Sequence, residues 1–188
     1  MSMNLRVSAF MAAALSLAFL AACSVSHNRS ETGETVTIRT PAGGINVNDS
    51  VDPKAIGLAV YPGSRPHHDN DKDSGSVNME MFGMKLVVAS FESDDPPAKV
   101  ADYYSKEVRK FGNVLQCKSE GVTFNPHSRN EWGCEHGETT DVAAAASGGG
   151  LELKAGDKGN MHIVAVKPHG GGTEYALVYV RTGKGESL

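Results

Sequence analysis

The chain has 188 residues, with 18 lysines and arginines against 22 aspartates and glutamates, so its formal net charge is −4 at pH 7. This length is sufficient for one domain with a hydrophobic core of its own. The acidic balance and the lack of a basic stripe argue against nucleic acid as a partner and against electrostatic docking to anionic lipid.

The N-terminal segment has the pattern of an export signal. Arg6 is followed by an apolar stretch over residues 7–20, which ends in Leu20-Ala21-Ala22-Cys23. The stretch is short for a transmembrane helix. The four residues Leu20-Ala21-Ala22-Cys23 resemble the lipobox of bacterial lipoproteins. The resemblance implies a diacylglycerol on Cys23, cleavage after Ala22 and further acylation, as with palmitate; the alternatives are a cleaved signal with a free Cys23 and an N-terminal membrane helix.

The same resemblance indicates a location. Ser24 follows the cysteine, and in the enterobacterial sorting rule an aspartate there retains lipoproteins in the inner membrane. We therefore expect a lipid anchor in the outer membrane, with the domain facing the periplasm. The expected organisation is a signal peptide over 1–22, a flexible tether over 23–34, a single domain over 35–182 and a disordered tail over 183–188.

Two further cysteines, Cys117 and Cys134, remain for pairing. Because an exported chain meets an oxidising compartment, they are expected to form a disulfide bond, which would stabilise the fold by roughly 3 kcal/mol. A zinc site that adds His127 and His136 is an alternative, but it needs reduced thiols and a spacing that no common zinc finger shows. Two free thiols are the third possibility.

Alternating polar and apolar residues predict most of the sheet. Residues 35–40 and 45–48 form a first hairpin around Pro41 to Gly44, and residues 77–81 and 84–91 form a second around Phe82-Gly83. Further strands are expected at 113–117, 121–124, 151–154, 161–166 and 174–181.

One helix is predicted between these strands. Asp94 and Asp95 offer caps, a proline fits the first turn, and apolar residues recur at helical spacing up to Phe111 before Gly112. Residues 141–150, rich in alanine and glycine, are expected to be a mobile excursion. The predicted fold class is α+β, a mainly antiparallel sheet with one long helix, about 95–111, packed on it.

An acidic loop is the candidate cation site. Asp69, Asp71 and Asp73, with Glu80, occupy positions one, three, five and twelve of an EF-hand count. The match is incomplete, because Ser74 replaces the glycine of position six and strand patterns flank the loop. A solvated loop is the alternative.

A second resemblance covers residues 35–118. The order Thr40-Pro41, Gly43-Gly44, Val60-Tyr61-Pro62-Gly63, Asp94-Asp95-Pro96-Pro97 and Val114-Leu115-Gln116-Cys117 is similar to a group of uncharacterised bacterial exported proteins. It implies a shared fold and no functional residues.

The functional expectation follows from the anchor. The sequence contains no nucleophile elbow, His-Glu-x-x-His pair, phosphate-binding loop or dinucleotide fingerprint. We expect a non-catalytic envelope lipoprotein without a cofactor, serving as a structural or interaction module for an envelope protein or the cell wall. One alternative is a small-ligand or calcium-binding module that uses Asp69, Asp71 and Asp73. The other is an enzyme of unrecognised type, which a pocket gathering His67, His68 and distant carboxylates would favour.

Overall fold

The computed structural model describes residues 23–30, 33–48, 55–67, 76–119, 133–157 and 159–182. Within these ranges there are ten strands: β1 Ser24–Ser30, β2 Gly33–Thr40, β3 Gly43–Asn48, β4 Arg65–Pro66, β5 Ser76–Met81, β6 Met84–Ser93, β7 Val114–Lys118, β8 Leu151–Asp157, β9 Asn160–His169 and β10 Gly172–Arg181. Helix α1 spans Pro97–Glu107 and continues as a 3₁₀ turn over Val108–Phe111, and helix α2 spans Val142–Gly148.

The strands form one sheet in the order β1-β2-β3-β5-β6-β10-β9-β8-β7, and β4 pairs with β6 beside this path. Every strand pair among the described residues is antiparallel. Both predicted hairpins are confirmed, with Ile38 opposite Ile45 in the first and Val77 opposite Val88 in the second. The later strands are also confirmed, and β8, β9 and β10 are longer than expected; the strand predicted at 121–124 lies outside the described residues.

The predicted fold class is wrong in its helical part. Of the described residues, 54% are in strands and 18% are helical, and the longest helical run has 15 residues. In place of one long helix over 95–111, the structure has the 11-residue α1, its 3₁₀ extension and the separate α2. The fold is therefore mostly antiparallel sheet with two short helices.

The start of α1 shows why the predicted caps were misassigned. The N-cap residue is Pro96, without a side-chain capping bond. The carboxylate of Asp95 instead accepts hydrogen bonds from the Tyr61 hydroxyl at 2.7 Å and from the Lys99 ammonium group at 2.9 Å. Tertiary partners thus take the acidic side chain that the sequence assigned to the helix end.

Two segments expected to be irregular are ordered. Strand β1 occupies most of the expected tether and pairs with β2 from Ser24 opposite Arg39 to Ser30 opposite Gly33. Helix α2 replaces the expected mobile excursion, and Asp141 caps it by accepting a hydrogen bond from the Ala144 nitrogen at 2.9 Å. Residues 1–22 and 183–188 lie outside the described residues.

The main core lies between the helices and one face of the sheet. Its fully buried members include Val100, Tyr104 and Val108 with Leu151, Leu153, Val164 and Leu177. A second apolar cluster, formed by Met161, Ile163, Val178 and Val180, alternates with these residues along the strands and therefore lies on the opposite face.

Candidate functional site

Four charged side chains lie in one row across the sheet. Arg65 of β4 is opposite Glu92 of β6, Glu92 is opposite Glu174 of β10, and Glu174 is opposite Lys167 of β9. Directly opposed residues of antiparallel strands present their side chains on the same face. The sheet register therefore brings two carboxylates and two cations together from four separate strands.

Two histidines extend this row. His67 lies two residues beyond Arg65, and His169 lies two residues beyond Lys167, so the strand period places each imidazole on the face of its cation. The rings of His67 and His169 are 5.1 Å apart between centroids, at an interplanar angle of 73°. We call His67, Glu92, His169 and Glu174 the His–Glu cluster.

Within the His–Glu cluster, each imidazole faces a carboxylate. His67 Nδ1 is 3.4 Å from Glu92 Oε2, and His67 Nε2 is 3.6 Å from Glu174 Oε2. His169 Nδ1 is 3.5 Å from the same oxygen of Glu174. Strong hydrogen bonds between nitrogen and a carboxylate are about 2.7–3.2 Å long, so these three contacts are loose.

The two cations hold the carboxylates more tightly. The Nε atom of Arg65 donates to Glu92 Oε1 at 2.6 Å, and its Nη1 donates to Asp94 Oδ1 at 3.1 Å. The ammonium group of Lys167 is 2.9 Å from Glu174 Oε2. Burial raises the pKa of Glu92, but the hydrogen bonds and charges of Arg65 and His67 outweigh this effect and hold that pKa below its ordinary value. Glu92 is therefore ionised at neutral pH.

The His–Glu cluster is buried at one end and open at the other. The side chains of His67 and Glu174 are 9% and 7% exposed, whereas that of His169 is 49% exposed. His169 is thus the member of the cluster that is most accessible to solvent.

The arrangement has the donor atoms of a metal site. His67, Glu92 and His169 each offer one ligand atom, and these atoms lie within 4.8 Å of one another. Imidazole nitrogens and carboxylate oxygens are ligands of zinc and related ions. An ionised glutamate beside a histidine is also a pair that general acid–base chemistry uses.

The predicted site residues are placed as follows. Cys23 is exposed and comes directly before β1, while the rest of the predicted lipobox lies outside the described residues. The predicted disulfide is confirmed: the sulfurs of Cys117 and Cys134 are 1.97 Å apart and the Cα atoms 5.1 Å apart. It removes both thiols from the alternative zinc site. The candidates Asp69, Asp71 and Asp73 lie outside the described residues, as do His68 and His127.

The sequence analysis missed most of the His–Glu cluster, although one signal was present. The two histidines stand in similar tripeptides, Arg65-Pro66-His67 and Lys167-Pro168-His169. Each contains a cation, a proline and an imidazole, so each presents the cation and the imidazole on one face of a strand. This repetition could have linked His67 to His169, but nothing local points to Glu92 or Glu174.

No known protein-family model, curated protein or solved structure matches the chain. Within the described part of the chain, the helices are too short or too polar to cross a membrane.

Proposed function

We propose that this chain is an exported lipoprotein of the bacterial envelope, anchored by lipid on Cys23, whose sheet domain is a non-catalytic interaction module. The observation that carries the proposal is the position of Cys23, which ends the sequence Leu20-Ala21-Ala22-Cys23 and is exposed immediately before β1. An exposed thiol at the start of the folded part is accessible for acylation. Two or three acyl chains, at about 0.8 kcal/mol per buried methylene, give a stable anchor.

The distribution of cysteines supports export and lipidation together. Cys117 and Cys134 are joined, which is typical of a chain that folds in an oxidising compartment. Cys23 is then the unpaired third cysteine, and it is exposed. In such a compartment an exposed free thiol is open to oxidation or intermolecular pairing, and a thioether-linked lipid removes that reactivity.

Metabolic labelling tests the anchor. In bacteria supplied with a palmitate analogue, the chain should become labelled, lose residues 1–22 and sediment with membranes. The Cys23→Ser variant should lose the label, whereas the Cys117→Ala/Cys134→Ala variant should keep it, because only the first removes the acylated thiol. Intact residues 1–22, or no acyl mass on Cys23, would contradict the proposal.

Strand β1 is the part of the domain best suited to a partner. It lies at one end of the described strand order, and the side chains of residues 23–28 are exposed. The outer backbone groups of an edge strand can pair with an extended segment of another chain. We therefore propose that an extended segment of another envelope protein pairs with β1.

Site-specific photo-crosslinking in cells tests this contact. A photoreactive residue at Ser26 of β1 should yield defined protein adducts, and one at Lys106, which is 69% exposed on α1, should not. Identical adducts at both positions, or none at Ser26, would argue against β1 as the contact strand.

The second candidate function is cation binding. The version based on Asp69, Asp71 and Asp73 stays a prediction, because these residues lie outside the described ranges. The His–Glu cluster provides a different set of ligands within the described residues.

A further inference from the structure

We infer that His67, Glu92 and His169 form a binding site for a divalent transition-metal ion, Zn²⁺ or an ion of similar ligand preference. Glu174 then fixes the orientation of His67. The inference is independent of the lipid anchor, because it rests only on side chains of β6, β9, β10 and the residue after β4.

The spacing of His67 Nδ1 and Glu92 Oε2 is that of two ligands of one metal ion. Ligand atoms about 2.0–2.2 Å from a tetrahedral zinc ion lie about 3.3–3.6 Å from one another. His67 Nδ1 and Glu92 Oε2 are 3.4 Å apart. His169 completes a set of ligand atoms within 4.8 Å and ends β9, next to the Gly170-Gly171 turn. It is half exposed, so it can move the short distance that closes the site.

The ion pairs distinguish the two carboxylates. Arg65 Nε binds Oε1 of Glu92, which leaves Oε2 directed at His67. Lys167 instead binds Oε2 of Glu174, the oxygen that faces both histidines. Since a metal ion at Glu174 would have to displace an ammonium group at 2.9 Å, Glu92 is the better ligand.

Glu174 has a supporting role in this arrangement. When the metal takes Nδ1 of His67, the proton of that ring lies on Nε2, which faces Glu174 Oε2 at 3.6 Å, so a hydrogen bond forms if metal binding brings the two atoms within about 3.2 Å. A carboxylate that accepts the second N–H of a ligating histidine fixes its tautomer and raises its basicity. Both Glu174 and His67 are nearly buried, so water competes little for this contact.

The ligand chemistry selects the class of ion. Calcium and magnesium prefer oxygen ligands, whereas two imidazoles with one carboxylate suit zinc, nickel or copper. Three protein ligands also leave one position of a tetrahedral zinc ion for water or a small anion. That position would be reached from the exposed side of His169.

The test uses the full chain with its disulfide intact, stripped of metal by a chelator. Calorimetry with Zn²⁺ should show one ion per chain, and Co²⁺ should give the visible absorption of a four-coordinate nitrogen and oxygen site. His169→Gln should weaken Zn²⁺ binding at least about tenfold, because it removes a ligand. The matched control is His27→Gln, another exposed histidine, on β1 far along the strand order. Failure of the native chain to bind one ion, or equal affinity of the two variants, would overturn the inference.

Further variants distinguish the role of Glu92 from that of Glu174, and a separate measurement identifies variants that misfold. Glu92→Gln should lower the affinity more than Glu174→Gln, and the reverse order would overturn the assignment of Glu92 as the ligand. Circular dichroism identifies a variant that fails to fold, and the exposed His169 allows a test that does not disturb the buried His67. Displacement of Zn²⁺ by excess Ca²⁺ would also contradict the site. Cys23→Ser should bind Zn²⁺ normally, so failure of the anchor and failure of the metal site are distinguishable.

Discussion

The hydroxyl group of Tyr104 accepts a hydrogen bond from the backbone nitrogen of Tyr61 at 3.0 Å. It also donates to the carbonyl of Ala59 at 3.1 Å, although Tyr104 is fully buried. Tyr175 accepts from the same nitrogen of Tyr61 at 3.2 Å. The buried tyrosines of α1 and β10 therefore satisfy the backbone polar groups of the segment that precedes β4.

Tyr104→Phe should lower the free energy of unfolding by about 1 kcal/mol, because it removes the hydroxyl that donates to the Ala59 carbonyl and that accepts, in a buried contact, from the backbone nitrogen of Tyr61. Urea denaturation monitored by circular dichroism measures the change. The matched control is Tyr103→Phe on the same helix, where the ring is half-buried and packs edge-on against Tyr61 and Tyr104. That variant should stay within about 0.5 kcal/mol of the native chain; an equal loss in both would contradict the role of the Tyr104 hydroxyl.

His162 should make the fold sensitive to acid. Its ring is buried and stacks on Phe111 with centroids 3.5 Å apart, and this burial holds its pKa below the ordinary value of 6.5, with the charge of Lys110 acting in the same direction. Below about pH 6.5 the imidazole of His162 takes up a proton more readily in the unfolded chain than in the folded one. The free energy of unfolding should therefore fall as the pH decreases from about 7 to 5.

His162→Phe keeps an aromatic ring against Phe111 and removes the titration, so it should flatten this part of the stability profile. Denaturation midpoints at several pH values provide the measurement, and an unaltered slope in His162→Phe would show that another group governs the acid response.

The disulfide should contribute measurably to stability. It links β7 to residue 134 across a sequence separation of 17 residues. Cys117→Ala/Cys134→Ala should lose about 3 kcal/mol, because the unfolded chain regains the freedom of the loop. A reductant should lower the melting temperature of the native chain and leave that of the double variant unchanged. Equal sensitivity of both to reductant would contradict this account.

Gly172 should be intolerant of a side chain. A Cβ atom there would overlap the backbone oxygen of Ser93, whereas a Cβ atom at Gly171 would meet nothing within 4 Å. Gly172→Ala should therefore destabilise the fold by about 1–3 kcal/mol, and Gly171→Ala should change it by less than about 0.5 kcal/mol. Thermal melts of both variants test the difference, and a neutral Gly172→Ala would show that the pairing of β6 and β10 can shift.

The sequence predicts the hairpins because their signals are local. Alternating side chains and the turn at Phe82-Gly83 determine β5 and β6 without knowledge of the remaining chain. Strand β1 has no such alternating pattern, because Val25 is the one apolar residue among 24–30. The strand depends instead on backbone pairing with β2. The glycines of residues 141–150 predict an irregular segment, but four alanines, which are good helix formers, follow the cap Asp141 and form helix α2.

The His–Glu cluster shows the same limit at the level of a site. His67 and Glu92 are 25 residues apart, and they meet only because β4 pairs with the far end of β6. His169 and Glu174 join them through the pairing of β9 with β10 and of β10 with β6. Long-range register of this kind has no local sequence signature. The acidic residues Asp69, Asp71 and Asp73, close to His67 in the sequence, do form a local pattern, and they predict a different cation site.

Strand β1 would limit how far the domain can move from the proposed lipid anchor. Twelve loose residues between lipid and domain would span up to about 40 Å when extended, enough to sample much of the space beyond the headgroups. Instead, pairing with β2 begins at Ser24, directly after the cysteine proposed to carry the lipid. A domain tied so closely would stay beside the leaflet that holds it, and a partner in the cell wall or the opposite membrane would have to extend towards it.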